Sequence, residues 1–321
     1  MNIIRFMKNW TLPIAMLSGV VGYFVYVNIP FLAPTRPFVN KMVDVIQPTL
    51  IFLMLFLAFC KVNLHDLRPC RWHLWLLLIQ GGIFTLVGLL LIFFKDIPGF
   101  ILYEGIMICM ICPTATAGAV ITSKLGGNAA HLTTYTILIN LITAILVPLI
   151  VPMVHPHPGL TFGNSFALIL GKVFPLLLCP FIAAELIRYL LPKLHAVLVK
   201  YTDLAFYLWA VALALAIAVT VKSIVHSDVS FFYQAGLAVI SLICCAFQFY
   251  FGKKIGIKYN DDISAGQSLG QKNTVFAIWM GYTFFTPVTA IAGGFYSVWH
   301  NVFNSWQLYQ QRKLEEQKKI K

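Results

Sequence analysis

Two short polar segments interrupt long apolar stretches of the sequence, CPTATAGA at residues 112–119 and SAGQSLGQKNT at residues 264–274. Pro113 removes a backbone donor, and the glycines of both segments weaken helical continuity. A helix that breaks inside a membrane exposes amide groups and a positive dipole end at the start of its second half, and both attract anions. The two segments therefore predict an anion-binding site. The alternative is that Pro113 only kinks its helix and the glycines only permit close packing.

Lys272 lies inside the second polar segment, about 15 Å along the helix that is predicted to start near Asp262. A charge near the membrane midplane costs at least about 2.5 to 3.5 kcal/mol, so this lysine is expected to face the interior and to have a function. Glu104 and Glu185 lie near the ends of their apolar stretches, not at this depth. A bound anionic substrate could therefore be the counterion of Lys272. The alternative is that the helix begins later and the ammonium reaches the cytoplasmic surface.

The composition requires that both segments lie in a membrane. Of the 321 residues, 60% are hydrophobic and 11% are charged, whereas soluble domains have roughly 45 to 50% and 25%. A membrane-spanning helix needs about 20 residues, and apolar stretches of that size are predicted at 10–28, 42–60, 72–94, 101–123, 129–153, 166–190, 203–224, 231–251, 262–282 and 284–305. The predicted fold class is therefore all-α integral membrane with ten transmembrane helices. The connections are too short for a nucleotide-binding domain that would drive transport with ATP.

The basic residues indicate the orientation of the ten predicted spans. Seventeen Lys and Arg residues fall on the side of the N-terminus and four on the other side, which predicts that both termini are cytoplasmic. These topology signals explain the net charge of +12, so no nucleic-acid partner is predicted. The expected location is the cell inner membrane, because no organelle signal is present and the loops are brief.

The segment HPHPG at residues 155–159 divides the spans into two sets of five. Because five is odd, the second set runs in the opposite sense, which is typical of transporters with inverted repeats. The predicted domains are the first repeat at 1–155, the second repeat at 160–307 and a basic cytoplasmic tail at 308–321. The polar segments occupy the fourth span of each repeat, where such transporters bind substrate. The two histidines of HPHPG could ligate a metal, but a connector is the preferred interpretation, and no metal or cofactor is predicted.

Four places in the sequence resemble the bile acid:sodium symporter family, a group of ten-span carriers of organic anions: Gln80, residues 112–116 with 127–128, Gln271, and YSVWHN at 296–301. The resemblance extends over nearly the whole chain. It implies a panel domain of spans 1, 2, 6 and 7, and a core domain of spans 3 to 5 and 8 to 10. It also implies that the broken fourth and ninth spans cross, that two sodium ions bind behind the crossing, and that core moves against panel to alternate access.

The sequence departs from this family at positions where the resemblance implies sodium ligands. Gly118 and Ala119 stand where sodium-coupled relatives have a Ser-Asn pair, and Leu132 stands where a hydroxyl residue is expected. Gln267 replaces the family's glutamate, and Lys272 replaces an asparagine. We therefore expect no sodium coupling of the family kind. The ammonium of Lys272 could supply the missing positive charge, and burial favours its neutral form, so proton coupling is an alternative beside facilitated diffusion and anion exchange.

The leading hypothesis is a secondary transporter of a small organic anion, such as a bile acid, a keto acid or a pantoate-like acid, in the lipid bilayer. The predicted substrate-binding residues are Thr114, Ala115, Thr116, Gly118, Ala119, Lys272, Asn273, Thr274, His300 and Asn301. The predicted ion-site region comprises Gln80, Thr136, Asn140, Gln267, Gln271 and Lys272. The alternatives are an efflux carrier of arsenite-type oxyacids that uses Cys112, and a non-transporting anion sensor on the same fold. No enzyme is predicted, because the midplane offers no carboxylate pair, metal cluster or activated nucleophile.

Overall fold

The computed structural model describes residues 11–62, 64–156, 158–201 and 204–320, and most of them are helical. Apart from 3-10 turns and one isolated β-bridge, the regular elements in these ranges are α-helices. The N-terminal half contains α1 Thr11–Asn28, α2 Arg36–Cys60, α3 Arg71–Phe93, α4 Phe100–Ile111, α5 Gly118–Lys124 and α6 Ala129–Val154. The C-terminal half contains α7 Phe162–Leu177, α8 Cys179–Leu190, α9 Pro192–Lys200, α10 Leu204–Val225, α11 Phe231–Ile257, α12 Asp262–Gly270, α13 Thr274–Phe284 and α14 Ala290–Ile320.

Five helical segments in the described part of the chain are long and apolar enough to cross a membrane: Pro30–Cys60, Arg71–Phe93, Ala129–Val154, Tyr207–Val225 and Phe231–Ile257. α7 and α8 together form a sixth candidate, with a bend of 42° between them. Shorter apolar helices lie at Pro13–Asn28, Phe100–Ile111 and Thr274–Phe284. Every predicted span thus contains helix, and the all-helical prediction is confirmed. The ten-span inverted repeat stays a prediction, because length and composition identify only five or six spans.

The fourth and ninth predicted spans are each divided into two short helices. α4 ends at Ile111, just before Pro113, and α5 begins at Gly118. α12 ends at Gly270, and α13 begins at Thr274. With 12 and 9 residues, α4 and α12 extend about 18 and 14 Å, so neither alone crosses a hydrocarbon layer of about 30 Å. Both polar segments therefore interrupt their helices rather than only bending them.

Proline accounts for two differences from the predicted spans. The tenth span was expected from residue 284, but residues 285–289 form an extended segment and a 3-10 turn, and α14 begins at Ala290. Pro287 has no amide donor and disfavours helical geometry in Thr286. The sixth span bends between α7 and α8, where Pro175 and Pro180 flank the bend. The predicted C-terminal tail is helical to Ile320, as a continuation of α14.

The helices form two bundles that share an interface. In the first, called here the broken-helix bundle, α3 packs against α4 and α6, α11 packs against α4 and α12, and α14 packs against α11 and α13. In the second, called the flanking bundle, α2 packs against α7, α8 and α10, and α10 packs against α1. Between the bundles, α7 packs extensively against α6, α10 contacts α13 and α14, and α2 contacts α13. One buried hydrophobic cluster includes residues of both bundles.

Candidate functional site

The two helix breaks lie directly against each other. Thr114 and Lys272 form an isolated antiparallel bridge. The amide of Ala115 donates to the carbonyl of Gln271 at 3.2 Å, and the amide of Asn273 donates to the carbonyl of Pro113 at 2.8 Å. Non-helical backbone at membrane depth must be satisfied by protein or water. Each break therefore supplies partners for the polar backbone groups of the other.

The C-terminal end of α4 is capped by side chains from other helices. The last carbonyls of a helix have no partner within the helix and carry the negative end of its dipole. Four successive carbonyls here each accept a hydrogen bond: Cys109 from Gln248 Nε2 at 3.2 Å, Met110 from Lys272 Nζ at 3.5 Å, Ile111 from Thr143 Oγ1 at 3.0 Å, and Cys112 from Gln80 Nε2 at 2.9 Å. The one ionisable donor among them is the ammonium of Lys272.

Lys272 is enclosed, with only 1% of its side chain area exposed. The thiols of Cys109, Cys112, Cys244 and Cys245 lie close enough to interact with it electrostatically. None of the ion pairs between described residues includes Lys272. The Nζ atom of Lys272 therefore faces the C-terminal end of α4 and cysteine side chains rather than a carboxylate. The expectation that Lys272 faces the protein interior is confirmed, and the alternative that it reaches the cytoplasmic surface is wrong.

The C-terminal end of α12 is capped in the same way. The hydroxyl of Thr114 donates to the carbonyl of Ser268, and the hydroxyl of Tyr296 donates to the carbonyl of Gly270, both at 2.8 Å. Beyond the break, the side chain of Asn273 accepts the amide of Phe276 at 3.2 Å and caps the start of α13. The first-turn amides of α13 therefore lie at the second break, next to the residues that pair with the first break.

A cavity of about 860 Å³ lies between the two bundles and next to the paired breaks. This is within the usual size range of small-molecule sites. The broken-helix bundle lines it with polar groups, among them Thr116, Thr133, Thr136, Gln271, Asn273, Asn301 and Asn304. The flanking bundle lines it with the apolar side chains of Leu55, Ala58, Phe59, Val62, Ala205 and Trp209. Lys61, Asp66 and Lys124 also line the cavity, where α2 and α5 end.

Most of the predicted substrate-binding residues line this cavity. They are Ala115, Thr116, Ala119, Lys272, Asn273, Thr274, His300 and Asn301. Thr114 does not, because it is fully buried and its hydroxyl is bonded to Ser268. Gly118 is also buried, and a side chain there would meet Gln271 and Leu132 at 3.3 Å. Thr114 and Gly118 thus position the break instead of forming the cavity wall.

The predicted ion-site residues have separate partners. Only Thr136, Gln271 and Lys272 of this set line the cavity. Gln80 donates to α4 carbonyls and accepts the hydroxyl of Tyr135 at 2.8 Å. Asn140 donates to the carbonyl of Leu177 at 3.3 Å, and Gln267 contacts Gln307 at 3.5 Å.

Sequence reasoning missed several residues that hold the site. Gln248 and Thr143 are buried and donate to α4 carbonyls, and Tyr296 joins α14 to the end of α12. Gln248 could have been found, since a glutamine in an apolar span needs an interior partner. The apolar cavity wall around Trp209 carries no such signal, because its residues resemble any lipid-facing stretch.

A sequence profile of SBF-like CPA transporters matches residues 24–311, which include both breaks and the cavity wall. The chain belongs to the SBF-like CPA transporter family. It is therefore a multi-pass membrane transporter with a small-molecule substrate. The resemblance to bile acid:sodium symporters is confirmed at the level of the family.

One relative of this SBF-like CPA transporter is a Bacillus subtilis protein named as an uncharacterized sodium-dependent transporter, YocS. The two chains are 25% identical over 234 residues, which cover 70% of this chain and 69% of the relative. The similarity therefore extends over most of both proteins.

Proposed function

We propose that this protein is a secondary carrier of a small organic anion, such as a bile acid, a keto acid or a pantoate-like acid, that works by alternating access. In this proposal the broken-helix bundle is the core domain, and the flanking bundle is the panel domain. The inverted repeats would be 1–155 and 160–307. In the proposed topology both termini and the mouth of the cavity face the cytoplasm of a cell inner membrane.

The observation that carries the proposal is the position of Lys272. In carriers with broken helices, the C-terminal ends of half-helices and unwound carbonyls coordinate the coupling cation. Lys272 Nζ lies 3.5 Å from the carbonyl of Met110 at such an end and is enclosed by protein. A covalently attached ammonium at this point supplies the positive charge that a bound sodium ion would otherwise bring. The carrier therefore does not need sodium to stabilise the end of α4.

The proposed anion binds where the start of α13 meets the cavity. Asn273 and Thr274 line the cavity at the N-terminus of this helix, and α13 has 11 residues to build a dipole. Lys61 and Lys124 line the same cavity and favour the approach of anions. α5 has only seven residues and contributes less. The apolar wall from α2 and α10 would accept the hydrocarbon part of the substrate.

Sodium coupling is the second candidate, because the Bacillus subtilis relative is named as sodium-dependent. The Oε1 atom of Gln267 and the Oδ1 atom of Asn140 are buried without a hydrogen-bond partner among the described residues, and such oxygens suit a hard cation. An arsenite carrier is less well supported. Cys112 is fully buried, donates to the carbonyl of Asn273 at 2.9 Å and does not line the cavity.

Uptake into proteoliposomes tests the proposal. Purified protein is reconstituted, and entry of labelled taurocholate, pyruvate and pantoate is measured with external sodium or with potassium in its place. We expect uptake of at least one of the three anions at equal rates in both salts. Lys272→Met should abolish it, because α4 then ends without a cation and the buried carbonyl of Met110 loses its donor.

The matched control is Lys258→Met, which removes an exposed lysine at the end of α11 and should leave uptake unchanged. Uptake that requires sodium in the unchanged protein contradicts the fixed-cation proposal and supports the second candidate. Saturable binding of an anion without any uptake supports the sensor alternative.

A further inference from the structure

Where α2 and α10 face α13 and α14, the two bundles are separated by the cavity at one end and touch at the other end; α7 also packs against α6. Along α2, the cavity is lined by residues 55–62, and Gln47 lies at least eight residues, or about 12 Å, away. Along α10, the cavity is lined at Ala205 and Trp209, and Thr220 lies about 16 Å beyond Trp209. The contacts made by Gln47 and Thr220 therefore lie on the far side of the cavity.

The residues that Gln47 and Thr220 contact, Tyr282 on α13 and Gly294 on α14, also lie on the far side of the cavity. On α13, Thr274 lines the cavity, and Tyr282 follows about 12 Å further along. On α14, His300 lines the cavity, and Gly294 precedes it by about 9 Å. Four helices, two from each bundle, thus have a cavity end and a contact end.

Polar and cationic groups make the first two contacts. The hydroxyl of Tyr282 donates to Oε1 of Gln47 at 3.0 Å, and Gln47 is fully buried. The Nε2 atom of Gln47 has no hydrogen-bond partner among the described residues. Beside this pair, Nζ of Lys172 on α7 lies 5.7 Å from the ring centroid of Phe284 on α13. These are individually weak interactions, so they can separate without a large cost.

A glycine makes the third contact possible. A Cβ atom on Gly294 would lie 3.0 Å from Cγ2 of Thr220 and 3.6 Å from its Cβ. A side chain at position 294 would therefore require the side chain of Thr220 to shift by a few tenths of an ångström. Thr220 is only 5% exposed, and its hydroxyl is satisfied by the carbonyl of Ala216 at 3.0 Å. The surface between the helices at this point is small and apolar, as a separable contact requires.

We infer that these three contacts, Gln47 with Tyr282, Lys172 with Phe284 and Thr220 with Gly294, form a seal that closes the far side of the cavity. The inference rests on the proposed alternating access. The seal holds the two bundles together on the side away from the cavity. Its residues must therefore separate whenever the substrate site opens to that side. Gln47, Thr220, Tyr282 and Gly294 are therefore positioning residues for transport, and none of them touches the substrate.

A reversible cross-link tests the seal. A Cβ separation of 3.6 Å suits a disulfide, and Thr220→Cys also removes the methyl group that would clash with Gly294→Cys. The control is Gly105→Cys with Ala292→Cys, which has the same Cβ separation of 3.6 Å but joins α4 to α14 within one bundle. A Cβ atom at position 105 also lies 2.6 Å from Cδ2 of Leu237, so this flexible side chain must turn aside. Peptide mass spectrometry identifies each bond among the seven native cysteines. Gln47→Cys, added to each pair, reports opening through its reaction with a charged, membrane-impermeant thiol reagent on the far side.

We expect the Thr220–Gly294 cross-link to abolish modification of the reporter and, in protein that keeps Gln47, anion uptake, and we expect a reductant to restore both. The control cross-link should abolish neither. A reporter that reacts equally fast with the seal cross-linked, or that never reacts in the reduced protein, overturns the inference. A reporter that opens and is blocked as expected, in a protein that moves none of the tested anions, supports the seal and contradicts the proposed function.

A second variant keeps the test independent of the cross-link. Lys172 is exposed, so Lys172→Gln should fold normally. Loss of its contact with Phe284 should raise the modification rate of the Gln47→Cys reporter by about two- to fivefold. An unchanged rate removes Lys172 from the seal.

Discussion

At the residue scale, the end of α4 shows how a broken helix is stabilised inside a membrane. Side chains from α3, α6, α11 and the second break each donate to one of its last carbonyls. A cation is the most favourable of these donors, because it also meets the negative end of the helix dipole. This arrangement explains why a lysine is tolerated although no carboxylate of the described residues pairs with it.

Gln80→Leu should lower the stability of the protein by about 2 kcal/mol, because the buried carbonyl of Cys112 loses its donor and the hydroxyl of Tyr135 loses its acceptor. The measurement is thermal unfolding in detergent. Gln310→Leu, at an exposed position of α14, is the control and should change stability little. A stability equal to that of the unchanged protein would show that water replaces the amide of Gln80.

Tyr296→Phe removes one oxygen that donates to the carbonyl of Gly270 and accepts from Gln248. We expect a loss of about 1 to 3 kcal/mol, because both partners are buried. Gln248→Leu should have a smaller effect when Tyr296→Phe is already present, since the two side chains act in one network. Fully additive losses in this double-mutant cycle would contradict the network.

At the scale of elements, glycines set the approach of α11 to α12. A Cβ atom on Gly270 would lie 2.4 Å from the ring of Phe249, and one on Gly252 would lie 2.7 Å from the carbonyl of Ala265. These contacts hold the end of α12 beside α11 and so fix where the second break begins. The sequence shows the glycines but not which helix they face.

Gly270→Ala should destabilise the protein by about 1 to 3 kcal/mol through overpacking against Phe249. Phe249→Leu should recover part of the loss, because it removes the ring atoms in the way. Gly22→Ala is the control, since a Cβ there meets no atom within 4 Å and alanine favours the helix. Thermal unfolding compares Gly270→Ala, the double variant with Phe249→Leu, and Gly22→Ala with the unchanged protein. Failure of Phe249→Leu to rescue Gly270→Ala would show that backbone strain is the cause.

At the scale of the whole molecule, the proposed orientation can be read from Cys70, which lies in the connection before α3. Burial raises the pKa of its thiol, and the carboxylate of Asp261 raises it further. The thiolate is the reactive form, so reaction with an impermeant maleimide should be slow at neutral pH and should increase well above the pH at which free cysteine is fully reactive. Asp261→Asn should shift this profile to lower pH.

In the proposed topology this reaction occurs only from the cytoplasmic face. Labelling is therefore expected in inside-out vesicles and absent from right-side-out vesicles, with Cys70→Ser as the background control. Labelling of Cys70 in right-side-out vesicles alone would reverse the orientation and, with it, the side on which the cavity opens.

The sequence was sufficient to predict most of the helices and both breaks, because Pro113, the glycines and Lys272 violate the pattern of an apolar helix. It did not predict α9, the division of the sixth span or the late start of α14. It also predicted most of the polar wall of the cavity. It did not reveal the cavity's apolar wall, since Phe59 and Trp209 are ordinary residues for a membrane helix. The partners of Lys272 were equally hidden, because backbone carbonyls and the thiols of distant helices come together only in the folded chain.

The most direct test of the account is the thermal stability of the purified protein with and without sodium. A ligand that binds only the folded state raises apparent stability by mass action. With a fixed ammonium at the end of α4, replacement of potassium by sodium should leave the unfolding temperature unchanged, and Lys272→Met should lower it. A saturable rise with sodium in the unchanged protein would contradict the account, because it would show a sodium site that Lys272 does not replace.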